Sequence, residues 1–181
     1  LDWADSILAR FPRIPGFNLP SSPSRLVKYN YGPEFNAGRI TEHPPSSDPN
    51  QEYRIQLPEV DSDGNDIAGI RTPEIEVPVG THTGWSLRKT GVAEGDLFSL
   101  TGSFIPFART RKEKEQNNDP RLSIEERYAS HEVYVNAIAN AANKLVEEDM
   151  LLLEDADRYI QAAKERNPLD PNVPLTPLTL K

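Results

Sequence analysis

The chain has 181 residues, a net charge of −8 and 36% hydrophobic residues, below the roughly 45–50% apolar fraction of typical globular domains. This length is sufficient for one ordinary domain, but the small apolar supply and the 17 prolines predict a small core with long proline-rich arms. The acidic balance argues against nucleic acid or an anionic membrane as the main partner. The lack of cysteine excludes disulfides, thiolate metal sites and a cysteine nucleophile.

The chain starts at Leu1 rather than Met, and we expect a trimmed, processed or partial chain. Residues 1–52 are predicted to be a proline-rich arm with one short strand. The strand is indicated by Val27, Tyr29 and Tyr31, which alternate with polar residues as in a half-buried strand. Residues 42–52 consist of turn-forming residue types and predict a surface loop.

Residues 53–111 are predicted to form a β-hairpin and loop region. Apolar residues alternate with polar ones over 53–57, turn residues fill 61–66 and apolar residues return at 67–70. This order predicts a hairpin over 53–70. A second alternation over 75–79 predicts an edge strand, because Pro78 cannot donate a backbone hydrogen bond.

The helical period begins after Pro120, and residues 112–166 are predicted to be a helical region. Ser123 and Glu126 fit a capping box, and Ser130 is the better N-cap for a longer helix that follows. A second helix carries Glu154 and Asp155 near its N-terminus, which is favourable for the helix dipole. The short link at 149–151 predicts an antiparallel helical hairpin. The two apolar stripes are Tyr134, Ile138, Ala141, Ala142 and Leu145, and then Ala156, Tyr159, Ile160 and Ala163.

Residues 167–181 carry four prolines and no apolar period, so we expect an extended or disordered tail. The predicted fold class is therefore an α+β segment with a β-hairpin, a C-terminal helical hairpin and long proline-rich loops.

Two local patterns resemble functional motifs. Asp61, Asp63 and Asn65 have the spacing of half a calcium loop, but Asp66 and Thr72 stand where an EF-hand needs Gly and Glu, and an exposed turn explains the same residues. The segment 84–88 lacks the second glycine of a nucleophile elbow, so it is not predicted to carry a catalytic serine. We predict no metal site, no cofactor and no catalytic residue within the chain.

The candidate substrate-binding residues are His82, Trp85 and Arg88, because they cluster on one glycine-bounded stretch that is predicted to be a loop. A histidine there is able to reach a substrate as a general base, or to make ordinary loop hydrogen bonds. Arg71, Arg88 and Arg109 are candidates for a bidentate carboxylate clamp. In a chain with 28 acidic residues they are equally candidates for internal ion pairs.

Four blocks in a fixed order carry a resemblance to a known family. They lie at 57–71, 77–88, 102–111 and 119–128, and include Gly69-Ile70-Arg71, Thr83-Gly84-Trp85, Gly102-Ser103-Phe104-Ile105-Pro106-Phe107 and Asp119-Pro120-Arg121. Over roughly residues 50–165 the chain resembles the closing segment of a family of large bacterial α/β-hydrolase domain proteins.

The resemblance implies the C-terminal part of a larger α/β-hydrolase-like fold and a serine-dependent, esterase-type hydrolase. It also implies that an upstream portion or subunit of the same enzyme supplies the nucleophilic serine and the catalytic histidine, and that the substrate is a small ester-like molecule. The alternative is a non-catalytic interaction or structural subunit whose proline-rich arms become ordered on a partner.

Overall fold

The computed structural model describes residues 2–3, 9–17, 19, 27–53, 56–89, 91–92, 97–98, 100–178 and 180. These residues form an α+β arrangement of short antiparallel strand pairs and C-terminal helices, in agreement with the predicted class. Strands pair as β1 with β4, β2 with β3, β5 with β8 and β6 with β7. The strands are β1 (Asp2–Trp3), β2 (Val27–Asn30), β3 (Ser46–Glu52), β4 (Gln56–Leu57), β5 (Gly80–Thr83), β6 (Ser86–Leu87), β7 (Leu97–Phe98) and β8 (Ser103–Pro106).

The longer helices lie in the C-terminal part of the chain, as the sequence predicts. The described helices are α1 (Pro73–Glu76), α2 (Arg111–Asn117), α3 (Ile124–Arg127), α4 (His131–Glu147) and α5 (Leu153–Glu165), and a 3-10 turn covers Phe35–Ala37. Within the described part of the chain, none of the helices combines the length and the apolar character needed to cross a bilayer.

The predicted helix caps are confirmed. Ser123 and Glu126 form the reciprocal capping box at the start of α3, and the Ser130 hydroxyl accepts a hydrogen bond from the Val133 amide at the start of α4. Asp149, in the link between α4 and α5, has a φ of 58°. The Nε2 atom of His131 lies 2.8 Å from the carbonyl oxygen of Ala163, so the first turn of α4 meets the last turn of α5. The two helices are therefore antiparallel.

The core lies between the helical hairpin, α1 and the β5–β8 ribbon. Several of its fully buried members come from the predicted stripes, among them Ile138, Ala142 and Ala156, and Ile124 of α3 joins them. Residues 166–178 form neither helix nor strand, but this tail packs on the core through its leucines, and Pro168 is fully buried. Arg109 binds the tail by donating hydrogen bonds to the carbonyl oxygens of Pro168, Asp170 and Val173.

The prediction of a surface loop at 42–52 is wrong, because Ser46–Glu52 forms β3 and pairs with β2. The ribbon has little buried surface, and Tyr29 is 52% exposed. Polar and turn-forming side chains are acceptable in such a strand because what holds it is the backbone pairing to β2 rather than side-chain burial. The Val27–Asn30 strand itself is confirmed.

The hairpin predicted over 53–70 is largely wrong. Residues 54 and 55 of the predicted first arm lie outside the described residues. Among the described ones, the two arms meet only in an isolated bridge between Val60 and Asp66, and the Gln56–Leu57 strand pairs with Asp2–Trp3 instead. The Asp61 side chain closes the turn between the two arms, because its Oδ1 accepts hydrogen bonds from the amides of Asp63 and Asn65 at 2.9 and 3.0 Å. This geometry is an Asx-type turn.

The edge strand predicted over 75–79 is also wrong. Thr72 is the N-cap of α1, Pro73 occupies its first turn, and the helix covers Pro73–Glu76. Proline fits this position because the first helical amides have no partner within the helix. Strand geometry begins only at Gly80.

Candidate functional site

Strand β5 carries part of the candidate site. One edge of this strand pairs with β8, and the Asn65 side chain covers the other edge. The fully buried Asn65 accepts a hydrogen bond from the His82 amide at 2.7 Å through Oδ1 and donates to the Gly80 carbonyl at 3.4 Å through Nδ2. Asn65 thus replaces a neighbouring strand by satisfying two backbone groups of β5. Its position follows from the tight turn at 61–65.

Successive side chains of β5 point to opposite faces, and Thr81 is directed at a buried ionic network. The Thr81 hydroxyl donates to the carbonyl of Asp63 and accepts from Arg121 Nη1. Arg121 also donates to Asp119, with 2.7 Å between Nη2 and Oδ2, and both side chains are almost fully buried. Burial acts to raise the pKa of Asp119, but the hydrogen bonds from Arg121 outweigh it and the pKa is lowered.

A second ion pair completes this network. Arg127 pairs with Asp63, and the guanidinium groups of Arg121 and Arg127 lie 5.1 and 4.2 Å from the ring centre of Phe107. Because charges and donors are matched, the network is suited to fixing the turn at 61–65, β5 and α3 relative to one another.

The opposite face of β5 carries His82. Its ring makes an edge contact with Phe104, its cross-strand neighbour, with centroids 5.0 Å apart. Burial lowers the pKa of His82, and the nearby carboxylate of Glu74 partly opposes this shift. The imidazole is therefore neutral near pH 7.

Two tyrosines from the helical hairpin lie close to the same carboxylate. Burial raises the pKa of Tyr134 to about 12, with Arg166 opposing and Glu74 adding to the rise. The pKa of Tyr159 is also raised, first by burial and then by its interaction with Glu74. Both phenols are hydrogen-bond donors at neutral pH.

Trp85 lies in an aromatic cluster. Its ring centre is 5.9 Å from that of Phe11 and 5.7 Å from that of Phe17. Phe11 also contacts the backbone of Gly64, where an added Cβ would lie 3.0 Å from the Phe11 ring. Trp85 therefore joins the N-terminal segment 9–17 to the turn and to β5.

Arg88 lies beside a shallow cavity of about 230 Å³. Its guanidinium stacks 5.0 Å from the ring centre of Phe98. The Ser86 hydroxyl at the same cavity is 3.1 Å from the Thr101 hydroxyl. The cavity combines a cation, an aromatic wall and apolar side chains, and its lining residues are Ser86, Leu87, Arg88, Lys89, Val92 and Phe98.

The prediction that the three candidate substrate-binding residues lie on a loop is wrong. His82 lies within β5, and Trp85 and Arg88 flank β6. The strand forms because β8 supplies a partner for all four residues of β5, a long-range pairing that a local glycine count does not reveal. The three side chains have three separate surroundings: the Glu74 carboxylate, the aromatic cluster and the shallow cavity.

Of the two alternatives for these arginines, a carboxylate clamp or internal ion pairs, Arg71 makes internal ion pairs. Arg71 donates to Asp61 and Glu76, and Arg109 binds the tail. The Asp61 and Asp63 carboxylates are thus paired with Arg71 and Arg127. Among the residues that the structure describes, His, Asp and Glu side chains do not gather in a group that could hold a metal ion.

Sequence reasoning missed Asn65, Glu74 and Arg121. Thr72-Pro73, an N-cap residue followed by proline, is a helix-start signal that would have placed Glu74 on a helix. Asp119-Pro120-Arg121 contributed only to the family resemblance. Nothing local marks Asn65 as buried, because Asn is the expected residue type in a turn.

The comparison with known families decides the classification. Residues 39–161 match the alpha/beta hydrolase domain family. The chain belongs to this family. The match confirms the family that the sequence resembles and indicates a hydrolase-like function. Searches of curated proteins and of solved structures found no match.

Proposed function

We propose that this alpha/beta hydrolase domain chain is part of an enzyme that hydrolyses ester or related acyl bonds with a serine nucleophile. A separate, upstream portion or subunit of the same enzyme supplies that serine and the triad histidine, and the substrate is a small ester-like molecule. The observation that carries the proposal is the family match, which extends over most of the chain and includes the whole of β5.

Among the described residues, the hydrogen bonding of the half-buried His82 and His131 supports a nucleophile supplied from elsewhere. A triad requires the base to be within hydrogen-bond reach of the serine hydroxyl. His131 Nε2 is engaged with the Ala163 carbonyl, and His82 Nε2 has no hydrogen-bond partner. Ser86, on the strand that follows His82, has its hydroxyl next to Thr101.

His82, Trp85 and Arg88 line the substrate side of this chain in our proposal. Trp85 offers apolar contact area, and Arg88 at the shallow cavity offers a charged donor for a carbonyl or carboxylate oxygen. The cavity is small and open to one side of β6, so the catalytic portion is expected to complete it.

An activity-based label tests the proposal. The intact protein is treated with a fluorophosphonate probe, hydrolysis of p-nitrophenyl esters is followed, and the labelled peptide is located by mass spectrometry. We expect ester hydrolysis and a labelled serine outside the 181 residues. A label on a serine within them would overturn the division of labour, and absence of both labelling and hydrolysis would overturn the assignment as a serine hydrolase.

Substitutions test the substrate-lining role. Arg88→Ala and Trp85→Phe are expected to raise KM with smaller changes in kcat, because binding contacts act on substrate and transition state alike. Arg39→Ala is the matched control, since this arginine is 74% exposed and pairs with Glu34. Unchanged kcat/KM in Arg88→Ala and Trp85→Phe would reject the role.

The second candidate function, an interaction or structural subunit, is favoured by the β2–β3 ribbon. Aromatic side chains of β2 and of the segment directly after it contact one another, with centroid distances of 6.4 Å for Tyr29 and Tyr31 and 4.7 Å for Tyr31 and Phe35. Tyr29 and Phe35 nevertheless remain half exposed. Exposed aromatic patches of this kind mark interfaces. Hydrogen exchange of the intact protein distinguishes the functions, since an interface predicts protection of residues 27–37 together with absence of esterase activity.

A further inference from the structure

The shallow cavity beside β6 has a cationic lining in an acidic chain. The chain carries 28 acidic and 20 basic residues, for a net charge of −8. The described residues that line this cavity nevertheless include Arg88 and Lys89 and no carboxylate. Both cations are exposed, so a ligand in solution reaches them. The local charge therefore favours an anionic ligand over a neutral or cationic one.

Strand geometry brings Arg88 to the aromatic wall of the cavity. Side chains two residues apart in an extended segment point to the same face, so Arg88, directly after β6, shares a face with Ser86. Ser86 is paired across the ribbon with Phe98 of β7, and the Arg88 guanidinium lies 5.0 Å from the ring centre of Phe98. The aromatic contact thus holds the cation at the cavity.

Arg88 differs from the arginines that fix the fold. Those arginines pair with buried or partly buried carboxylates, and they include Arg71, Arg121 and Arg127. Within the described part of the chain, Arg88 instead contacts an aromatic ring, and the cavity lining offers it no carboxylate. Its N–H groups are therefore open to a ligand. The planar fork of a guanidinium matches the two oxygens of a carboxylate, which it binds bidentately.

The size and the remaining lining of the cavity indicate how much of a ligand it holds. Its volume of about 230 Å³ is below the ~300–1,000 Å³ of pockets that enclose a whole ligand. Val92 and Phe98 give it an apolar side. The hydroxyl oxygens of Ser86 and Thr101 are 3.1 Å apart, so one hydroxyl hydrogen bridges the pair and the other is free to donate to a ligand. The cavity therefore suits the end of a chain, a carboxylate with the methylene groups next to it.

We propose that this cavity binds a free carboxylate of the substrate, with Arg88 as its bidentate donor and Lys89 as a second positive charge. The inference rests on the proposed function for the reaction and adds to it a substrate class, esters that carry a free carboxylate on the acyl or the alcohol side. The ester group itself lies outside the cavity, where the upstream portion brings its serine. Binding forms hydrogen bonds and breaks no covalent bond.

Ligand-observed NMR of the intact protein tests the cavity independently of enzyme activity. Saturation-transfer titrations compare hexanoate with hexanamide, which has the same chain without the charge. We expect the wild type to bind hexanoate more tightly. Arg88→Met should weaken hexanoate binding roughly tenfold, the lower end for hydrogen bonds to a charged group, because the cavity is open to solvent. Arg88→Lys keeps the charge without the fork and should fall between the two. Equal wild-type affinities for the two ligands, or unchanged hexanoate binding in Arg88→Met, would overturn the proposal.

Two further variants control for charge. Lys112→Met removes an exposed positive charge from α2 and should leave hexanoate binding unchanged, whereas a loss equal to that of Arg88→Met would contradict a specific site. Asp96 precedes β7 and lies outside the described residues, and Asp96→Asn tests whether the chain's own carboxylate occupies Arg88. A preference for hexanoate that is absent from the wild type and present in Asp96→Asn would show that Arg88 is paired internally and would overturn the proposal.

Paired esters test the substrate class. Monoethyl adipate against ethyl hexanoate places the carboxylate on the acyl side, and butanoyl glycolate against ethyl butanoate places it on the alcohol side. In one of these pairs, Arg88→Met is expected to lower kcat/KM for the charged ester roughly tenfold more than for its neutral partner, and that pair identifies the side. Equal losses within both pairs would overturn the substrate class. If the wild type hydrolyses none of the four esters, the proposed function fails, and the hexanoate titration still decides whether the cavity binds a carboxylate.

Discussion

Replacing Asn65 with leucine tests whether one side chain substitutes for a missing strand. Asn65 is fully buried, with bond lengths of 2.7 Å to the His82 amide and 3.4 Å to the Gly80 carbonyl. Leucine has a similar volume, so the change removes hydrogen bonds without a large cavity. A buried polar group left without a partner costs about 1–3 kcal/mol. The long bond to Gly80 contributes at the lower end of that range, so the expected loss of unfolding free energy is about 2–4 kcal/mol.

Urea unfolding of the intact protein, followed by tryptophan fluorescence, measures this loss as a lower midpoint at constant slope. Asn143→Leu is the matched control, because Asn143 is exposed on α4 and surface changes of this kind stay within about 0.5 kcal/mol. Hydrogen exchange supplies a local readout, since the His82 amide should lose protection in Asn65→Leu. If Asn65→Leu unfolds within about 0.5 kcal/mol of the wild type with the His82 amide still protected, the strand-substitute interpretation is refuted.

Three further predictions concern the tail, the capping box and the core. Arg109→Met removes the donors to three tail carbonyls, so limited proteolysis within 167–178 should accelerate, whereas Arg111→Met, at an exposed ion pair, should leave it unchanged. The pKa of Glu126 is lowered to about 2 by the amide and hydroxyl of Ser123. Because the folded pKa lies below the ordinary value, this contact stabilises above pH 4.5 and is lost as the pH falls through about 2. Glu126→Gln should therefore lower the melting temperature at pH 7 and have little effect below pH 2; an equal loss at both pH values would contradict this. Ile138→Ala, at a fully buried core position, should cost about 2–5 kcal/mol in urea unfolding, and a loss below about 1 kcal/mol would show that the site collapses around the smaller side chain.

The helical region was predictable because its signals are local. The caps at Ser123 and Ser130 and the stripe that buries Ile138 lie within a few residues of one another, and the helix period brings them onto one face. The strand pairs were not predictable in the same way. Residues 75–79 alternate as a strand would, but Thr72 and Pro73 start a helix there, and the alternation was the weaker of the two signals.

The candidate site shows the same division between local and long-range information. His82, Trp85 and Arg88 were selected by their nearness in sequence, yet each is surrounded by residues from elsewhere, such as Glu74 and Phe11. The family resemblance was recognisable because it depends on the order of several short blocks, which does not require the contacts to be known. Glu74 and His82 lie on different elements, α1 and β5, and no spacing rule predicts that the charge of one acts on the other.

The way the C-terminal tail is fastened has a consequence for acid conditions. Arg109 and Arg166 hold the tail by donating hydrogen bonds to its main-chain carbonyl oxygens. These carbonyl groups carry no net charge and do not take up protons at acid pH. Acidification discharges carboxylates such as Glu126 and loosens the contacts that rely on them. The hydrogen bonds to the tail do not depend on carboxylates. An acid-treated molecule should therefore lose its ion-paired contacts first and keep residues 168–177 bound.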